Sequence, residues 1–497
     1  MFERITPEEA GIDSSYVELY IKEILRHNCN MHSVLMMKGD KLFAEYYWSP
    51  YDRDTTHRMY SQTKSYVAVA IGLLEEEGKL SLDDTLVSYY GDKVEGELHP
   101  YLENLTIRDM LMMATCGTTP SGTWFSASGD DPVSVYLNRS TVTHPSNTSW
   151  SYDSAGTQVL TALAEKLAKK PLLEYLNEKI FCHLGTFKTA EMLKIPHGES
   201  FGSSALICTP RDMASFGRFL MNYGVWNGQR LLNEKFIREA TTAQIPHEMM
   251  NVDGGYNTYG YGYQIWISRT GGFFFNGMGG QYMIADPNTD IIFVCTADTQ
   301  GDNSARDYYV SKYFDLIIEN AKASPLPENK KAYESLCNAT SDLRLSVARG
   351  TDFSPLQERI SGKSFICNPN PQGIVKFSLH FSDDKCEFRY TNAQGDKILP
   401  FGMKENAFGL FPQLGYSDDP VCVPTANGHK YKCAASGAWQ RENTFSLKVQ
   451  IIDKYLGMLS VEFAFKGDEV TVTMKKTAEA FLNEYSGQFV AVLADGQ

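Results

Sequence analysis

Long apolar runs are missing from this 497-residue sequence; no uninterrupted stretch approaches the ~20 residues needed to cross a bilayer. The opening MFERITPEEAGIDSSYVELYIKEIL lacks a basic region followed by an apolar run and a small-residue cleavage site, so a secretory leader is not expected. Ten cysteines are scattered from Cys29 to Cys433 without a C-x-x-C pair or a Cys/His cluster. That spacing speaks against a disulfide framework or a zinc site and predicts reduced thiols and a cytoplasmic location. Positive charge is in deficit, 46 Lys and Arg against 60 Asp and Glu for a net charge of −14, which disfavours nucleic acid or an anionic membrane as the main partner. There is no G-x-S-x-G elbow, no phosphate-binding P-loop, and no second histidine to complete His247-Glu248 in PHEMMN as a zinc-protease helix. No internal repeat or low-complexity tract is present.

What is there divides by pattern. After an amphipathic helix around Ser14 to His27, HSVLMMKGDKLFAEYYW predicts two strands joined at Lys38-Gly39-Asp40. SQTKSYVAVAIGLL then opens a helix that closes near Gly78, where glycine takes the left-handed conformation that ends helices. LTIRDMLMMATCG predicts a second helix, capped by Thr106 with Asp109 and finished before Gly117. Two helices split by Pro171 follow, and another begins at Thr209-Pro210. Strands return in YGYGYQIWIS and GGFFFNGMGGQYMIADPNTDIIFVCTAD, with Asp286 to Asp290 as a turn, before the helix NSARDYYVSKYFDLIIENAKA. The expected fold class is α+β, an antiparallel sheet flanked by helices in which the first and last strands share one sheet. The prolines and charges of ASPLPENKK set the expected domains at 1–325, with a linker at 326–349. From 350 to 497, short alternating segments predict a C-terminal antiparallel β domain, a small barrel or sandwich.

The chemistry concentrates in HRMYSQTKSYVAVAIGLL. A serine becomes a nucleophile only when something removes its proton, and a lysine does so only when its amine is neutral, which requires burial or a neighbouring cation. Positions i and i+3 share a helix face, so Ser61 and Lys64 can meet while the apolar run behind them buries the helix. Spacing alone is weak evidence, since about two S-x-x-K matches arise by chance in a chain of this length. A second match, Ser382 to Lys385, sits in a polar turn with no apolar helix after it. Serine also caps helices and lysine favours them, so local grammar accounts for the pair equally well when it is read alone.

Two further stretches join it. In SWSYDSAGTQVL, Tyr152 stands where a phenol beside a lysine shuttles a proton, and Ser154 is placed to hold that lysine by a hydrogen bond. The competing reading makes Tyr152 a loop-packing aromatic. In NGMGGQYMIADP, glycines within a strand mark a bulge or a close backbone approach, and an N–H there can join that of Ser61 in stabilising an oxyanion. Trp124 in GTWFSASGDDP and the aromatics of YNTYGYGYQIWI are candidates to line a cleft.

Taken in order, these motifs resemble the serine β-lactamase and penicillin-recognising family, in particular its class C-like branch of esterases, D-amino-acid peptidases and aminohexanoate-oligomer hydrolases. The resemblance runs over residues 5 to 322 and includes EEGKLSLDD, LTIRDMLMMATCG, GYGYQIWI and GGQYMIADP. It implies Ser61 as an acylated nucleophile, Lys64 and Tyr152 as the base and acid pair, the backbone N–H groups of Ser61 and Gln281 as an oxyanion hole, and no metal or cofactor. One departure matters. Relatives that cleave penicillins or peptidoglycan stems carry Lys-Thr-Gly, or histidine for the lysine, where this chain has Met278-Gly279-Gly280. Met278 cannot pair with a substrate carboxylate. The expected activity is therefore hydrolysis of a small neutral ester or amide. A D-stereospecific peptidase or a β-lactamase is the alternative enzyme, and a non-catalytic ligand-binding protein is the alternative of another class.

Overall fold

The computed structural model describes residues 2–119, 129–246, 258–382, 386–414, 429–478 and 481–494. They form two compact units that divide in sequence between Arg344 and Leu345.

The first unit is built on a nine-stranded sheet. Its strands are β1 (Glu3–Arg4), β2 (Met31–Lys38), β3 (Lys41–Tyr47), β4 (Ile245–Pro246), β5 (Thr258–Tyr261), β6 (Trp266–Ser268), β7 (Phe273–Gly277), β8 (Gln281–Asp286) and β9 (Ile291–Ala297). Their spatial order is β1-β3-β2-β9-β8-β7-β6-β5-β4. The early and late strands thus close one sheet, as the pattern predicts, with Val294 opposite Leu35 and Cys295 opposite Val34 across β9 and β2. All pairs are antiparallel except β1 with β3.

Strands β2, β8 and β9 are buried almost throughout, which is why they read as apolar runs and not as alternations; helices cover both faces. On one face, Tyr20 of α1 (Ser14–Arg26) meets Phe293 of β9 edge-on at 6.0 Å. On the other lies α2 (Thr63–Glu76), buried at every residue from Thr63 to Leu74. A helix buried all round belongs at the centre of a domain. Tyr66 of α2 stacks at 4.1 Å on Phe216, and Phe216 lies 5.9 Å from Phe275 of β7, so helix and sheet share one aromatic core. Three further helices complete the framework: α3 (Ser154–Ala168), α4 (Pro210–Met221), which carries Phe216, and α5 (Asn303–Tyr313).

Local signals hold where chemistry is local. Thr106 with Asp109 and Thr209 with Asp212 form reciprocal capping boxes, and Gly78 takes φ +67° behind α2. The helix opened by Thr106 is shorter than its sequence suggests. It spans Ile107–Leu111 and stops as Met113 turns to φ +55°, while Gly117 begins a two-residue strand against Val142. A Cβ on Gly117 would lie 2.0 Å from the Thr141 carbonyl, so this glycine serves a close approach and not a helix end. The segment expected as a linker, 326–349, carries instead α6 (Lys330–Thr340). Leu336 is buried, Asn329 donates to Asp13 at 3.1 Å and Ser335 to Glu18 at 3.0 Å, which ties the segment to the α1 region. Pro325 and Pro327 redirect the chain there without ending the unit.

The second unit settles the choice between barrel and sandwich. Its strands are β10 (Phe365–Cys367), β11 (Lys376–His380), β12 (Cys386–Asn392), β13 (Gly395–Met403), β14 (Ala407–Leu414), β15 (Lys430–Arg441), β16 (Thr444–Ile452), β17 (Leu456–Lys466), β18 (Glu469–Ala478) and β19 (Gly487–Leu493). Phe365 pairs with Leu493, and a short parallel pairing of Gly402 with Ser436 joins β13 to β15, closing a barrel with β14 attached beside it. Phe377, Phe388, Phe401, Trp439, Phe445 and Phe463 fill its interior.

Because Phe216 is fully buried among Tyr66, Phe181, Phe187 and Phe275, Phe216→Ala is expected to cost about 3–5 kcal/mol. Denaturant unfolding followed through the first unit's transition measures it.

Candidate active site

The site begins at the entry to α2. A two-residue strand, His57–Arg58, leads into a 3₁₀ turn, Tyr60–Gln62, that runs straight into the helix. Tyr60 is fully buried with φ +48°, a conformation that costs a non-glycine residue of order 1–3 kcal/mol and marks positions the surroundings must enforce. It precedes Ser61, which is half-buried. Lys64 is only 2% exposed, and its Nζ donates to Ser61 Oγ at 3.1 Å and to the Ser203 carbonyl at 2.5 Å.

The segment that supplies this carbonyl is bound to the same turn on both sides. Met59 N donates to Leu206 O at 2.7 Å, and Leu206 N to Thr63 Oγ1 at 3.1 Å. Where Ser154 is expected to hold the lysine, the acceptor at 2.5 Å is a backbone carbonyl from a distant segment, which no side-chain motif announces. Ser154 is the first residue of α3.

Tyr152 lies across from the pair, its ring centroid 5.1 Å from Lys64 Nζ. Tyr152 is 40% exposed as a whole, but loss of water around its hydroxyl pushes the phenol up to about 12, and the Ser61 side chain pulls the other way. The group is thus a neutral donor at ordinary pH. Its position depends on Asp153, the cap of α3, which accepts from Gly156 N at 2.8 Å, Tyr136 OH at 2.9 Å and Thr115 Oγ1 at 3.3 Å. Burial raises the Asp153 carboxyl above its ordinary range. Asp153 is not among the motif residues, although an aspartate before Ser-Ala-Gly at a helix start is a capping signal legible in the sequence.

The glycine-rich motif is the tip of a hairpin and not the interior of a strand. Met278, Gly279 and Gly280 connect β7 to β8, with φ +80° and +98° at the two glycines and Gly280 N donating to Gly277 O at 3.1 Å. Close approach does apply at Gly277, where a Cβ would lie 2.1 Å from the Met59 carbonyl. Gln62 Nε2 reaches Gln281 O at 3.4 Å, so the start of β8 lies against the Ser61 turn. Gln281 braces the tip through Ala297 O at 2.7 Å and Met278 O at 3.2 Å, and Thr299 holds Gly279 O from N and Oγ1 at 2.9 and 3.1 Å. Met278 is 37% exposed at the apex.

An aromatic wall extends from Tyr152. Its ring lies 6.1 Å from Trp266 at 13°, and Trp266 lies 6.1 Å from Phe274 at 12°, with Trp150 and Tyr261 packed behind. Trp124 lies outside the described residues, as do His247 and Glu248. Of the second Ser/Lys match, Ser382 is exposed between β11 and β12, and Lys385 lies outside the described residues. Among the described residues, no group of three or more His, Cys, Asp or Glu side chains could hold a metal ion, and no helix is long and apolar enough to cross a membrane.

Comparison with known proteins matches residues 27–312 to the family described as Beta-lactamase. The 6-aminohexanoate-dimer hydrolase of Paenarthrobacter ureafaciens is 24% identical over 292 residues, 55% of this chain and 74% of that protein. A solved structure from Bacillus anthracis, assigned as a 6-aminohexanoate-dimer hydrolase, superposes with a TM-score of 0.50 at 20% identity, covering 62% of this chain and 83% of that one. One from Bacteroides dorei, assigned as a β-lactamase, gives 0.50 at 15% identity over 61% of this chain and 98% of its own.

The contact at Gly277 generates a test. Gly277→Ala forces β7 away from Met59 and is expected to cost about 1–3 kcal/mol. Thermal unfolding, with hydrogen exchange at the Tyr60–Gln62 turn, measures the cost and shows where it falls.

Proposed function

This chain belongs to the Beta-lactamase family, and on that premise we propose that its first unit is a serine hydrolase that cleaves a small neutral ester or amide through an acyl-enzyme on Ser61. The observation that carries the reading is the buried Lys64 amine at 3.1 Å from Ser61 Oγ, with Tyr152 beside both. In the proposed sequence, Ser61 Oγ attacks the carbonyl carbon as its proton passes to Lys64 Nζ. Tyr152 gives its phenolic proton to the departing oxygen or nitrogen and regains one from Lys64. Water then attacks the acyl carbon, the same pair moving its proton, and Ser61 is regenerated. The N–H groups of Ser61 and Gln281 are the proposed oxyanion donors, an assignment supported by the Gln62 to Gln281 contact.

Substrate class follows from what faces the site. Met278 offers no charge for a carboxylate, and the wall of Tyr152, Trp266 and Phe274 is apolar, which favours a neutral acyl group. The relative named for hydrolysing a 6-aminohexanoate dimer supports amide cleavage but not the neutrality of the acyl group, since that dimer ends in an amine and a carboxylate. Every described cysteine is free, which fits a reducing compartment such as the cytoplasm.

Intact-mass analysis after exposure to a p-nitrophenyl ester tests the reading. Wild type is expected to gain an acyl adduct or release a burst, Ser61→Ala neither, Lys64→Ala a severe loss, and Ser382→Ala no change. Adduct formation on Ser61→Ala overturns the assignment; silence of wild type with every ester and amide tried favours a binding protein on this fold. Since the Tyr152 phenol is held up at about 12, it stays protonated until pH approaches that value. An alkaline fall in kcat/KM well below pH 12 that persists in Tyr152→Phe would belong to another group.

A further inference from the structure

We propose that Arg58 is a positioning residue for the Ser61–Lys64 pair, acting through the backbone at Ser203 and Ser204 and through the ring of Tyr60. The inference rests on the reading of Ser61 as nucleophile. Arg58 is only 2% exposed, three residues before Ser61, and so lies too deep to meet a substrate. Its Nε donates to Ser204 O at 3.0 Å and its Nη2 to Ser204 Oγ at 3.1 Å. The neighbouring carbonyl, that of Ser203, is the one that accepts from Lys64 Nζ. One guanidinium therefore fixes the peptide next to the lysine's anchor.

The same group holds the other flank. Its central carbon lies 4.7 Å from the ring centroid of Tyr60 and 5.6 Å from that of Phe201. Tyr60 is the residue of left-handed backbone immediately before Ser61. A cation over an aromatic face is attracted to it, and the attraction strengthens when both are removed from water. Arg58 thus clamps the residue before the nucleophile and the residue after the lysine's acceptor, and the distance between Ser61 Oγ and Lys64 Nζ depends on both. A planar fork does this where an ammonium cannot, since lysine reaches one oxygen without matching the second or stacking as flatly.

The test uses the full chain with p-nitrophenyl acetate as probe, reading the acylation burst and steady-state kinetics of Arg58→Met and Arg58→Lys, with melting temperature as the control for folding. A displacement of about an ångström between reacting groups costs about 100-fold. Arg58→Met is accordingly expected to show an acylation rate constant about 100-fold below wild type with the probe's dissociation constant within about twofold, both taken from the burst phase, and Arg58→Lys to acylate about tenfold below wild type. A folded Arg58→Met that acylates within about threefold of wild type, or one that weakens probe binding with the acylation rate constant unchanged, overturns the proposal. Should Arg58→Met not fold, Arg58→Lys decides: a fall in the acylation rate constant at constant probe dissociation constant supports the role, and acylation at the wild-type rate overturns it. Ser61→Ala run alongside separates the two levels, because persistent acylation there overturns the nucleophile assignment itself and this inference with it.

Discussion

A lysine amine withdrawn from water is the constraint on which the rest of the first unit depends. An amine in an apolar interior is costly unless each donor finds an acceptor, and Lys64 Nζ finds them in Ser203 O and Ser61 Oγ. To keep it there, α2 must be a fully buried helix, and its entry turn must be held on every side. The 203–206 segment binds that turn from one side, and the β7–β8 hairpin presses on it from another.

The sheet meets these demands by topology. Joining β2 to β9 brings chain ends separated by some 250 residues of sequence into one layer, and that layer carries the hairpin tip to the start of α2. The aromatic core of Tyr66, Phe216 and Phe275 fixes the distance between helix and sheet. Close-packed interiors transmit displacement poorly damped, so a change of packing in this core reaches the Ser61 turn through a few rigid contacts. Tyr60, held at φ +48°, is where that rigidity becomes local strain.

What was legible in the sequence was what neighbouring residues decide. The capping boxes at Thr106 and Thr209, the end of α2 at Gly78 and the meeting of Ser61 with Lys64 all follow from spacings of a few residues. What escaped depended on distant backbone. The Ser203 carbonyl has no side-chain signature, and the glycines at 279 and 280 read as a strand bulge because nothing local tells a bulge from a turn between two apolar strands. Closure of the second unit rests on a two-residue parallel pairing of Gly402–Met403 with Ser436–Gly437, which alternation of side chains cannot reveal. Helix α6 was hidden by its prolines, which bend the chain before the helix starts.

Strand β7 carries two kinds of position in alternation. Phe275 and Gly277 face the helix and the Ser61 turn, packed to the point where one methyl group has no room. Phe274 and Asn276 face the other way, opposite Ile284 and Tyr282 in register, and lead to the exposed Met278 at the apex. Inherited variation is therefore channelled. Room for change along this strand lies toward its apex, at Asn276 and the exposed Met278, while Phe274, Phe275 and Gly277 are held in packed interior.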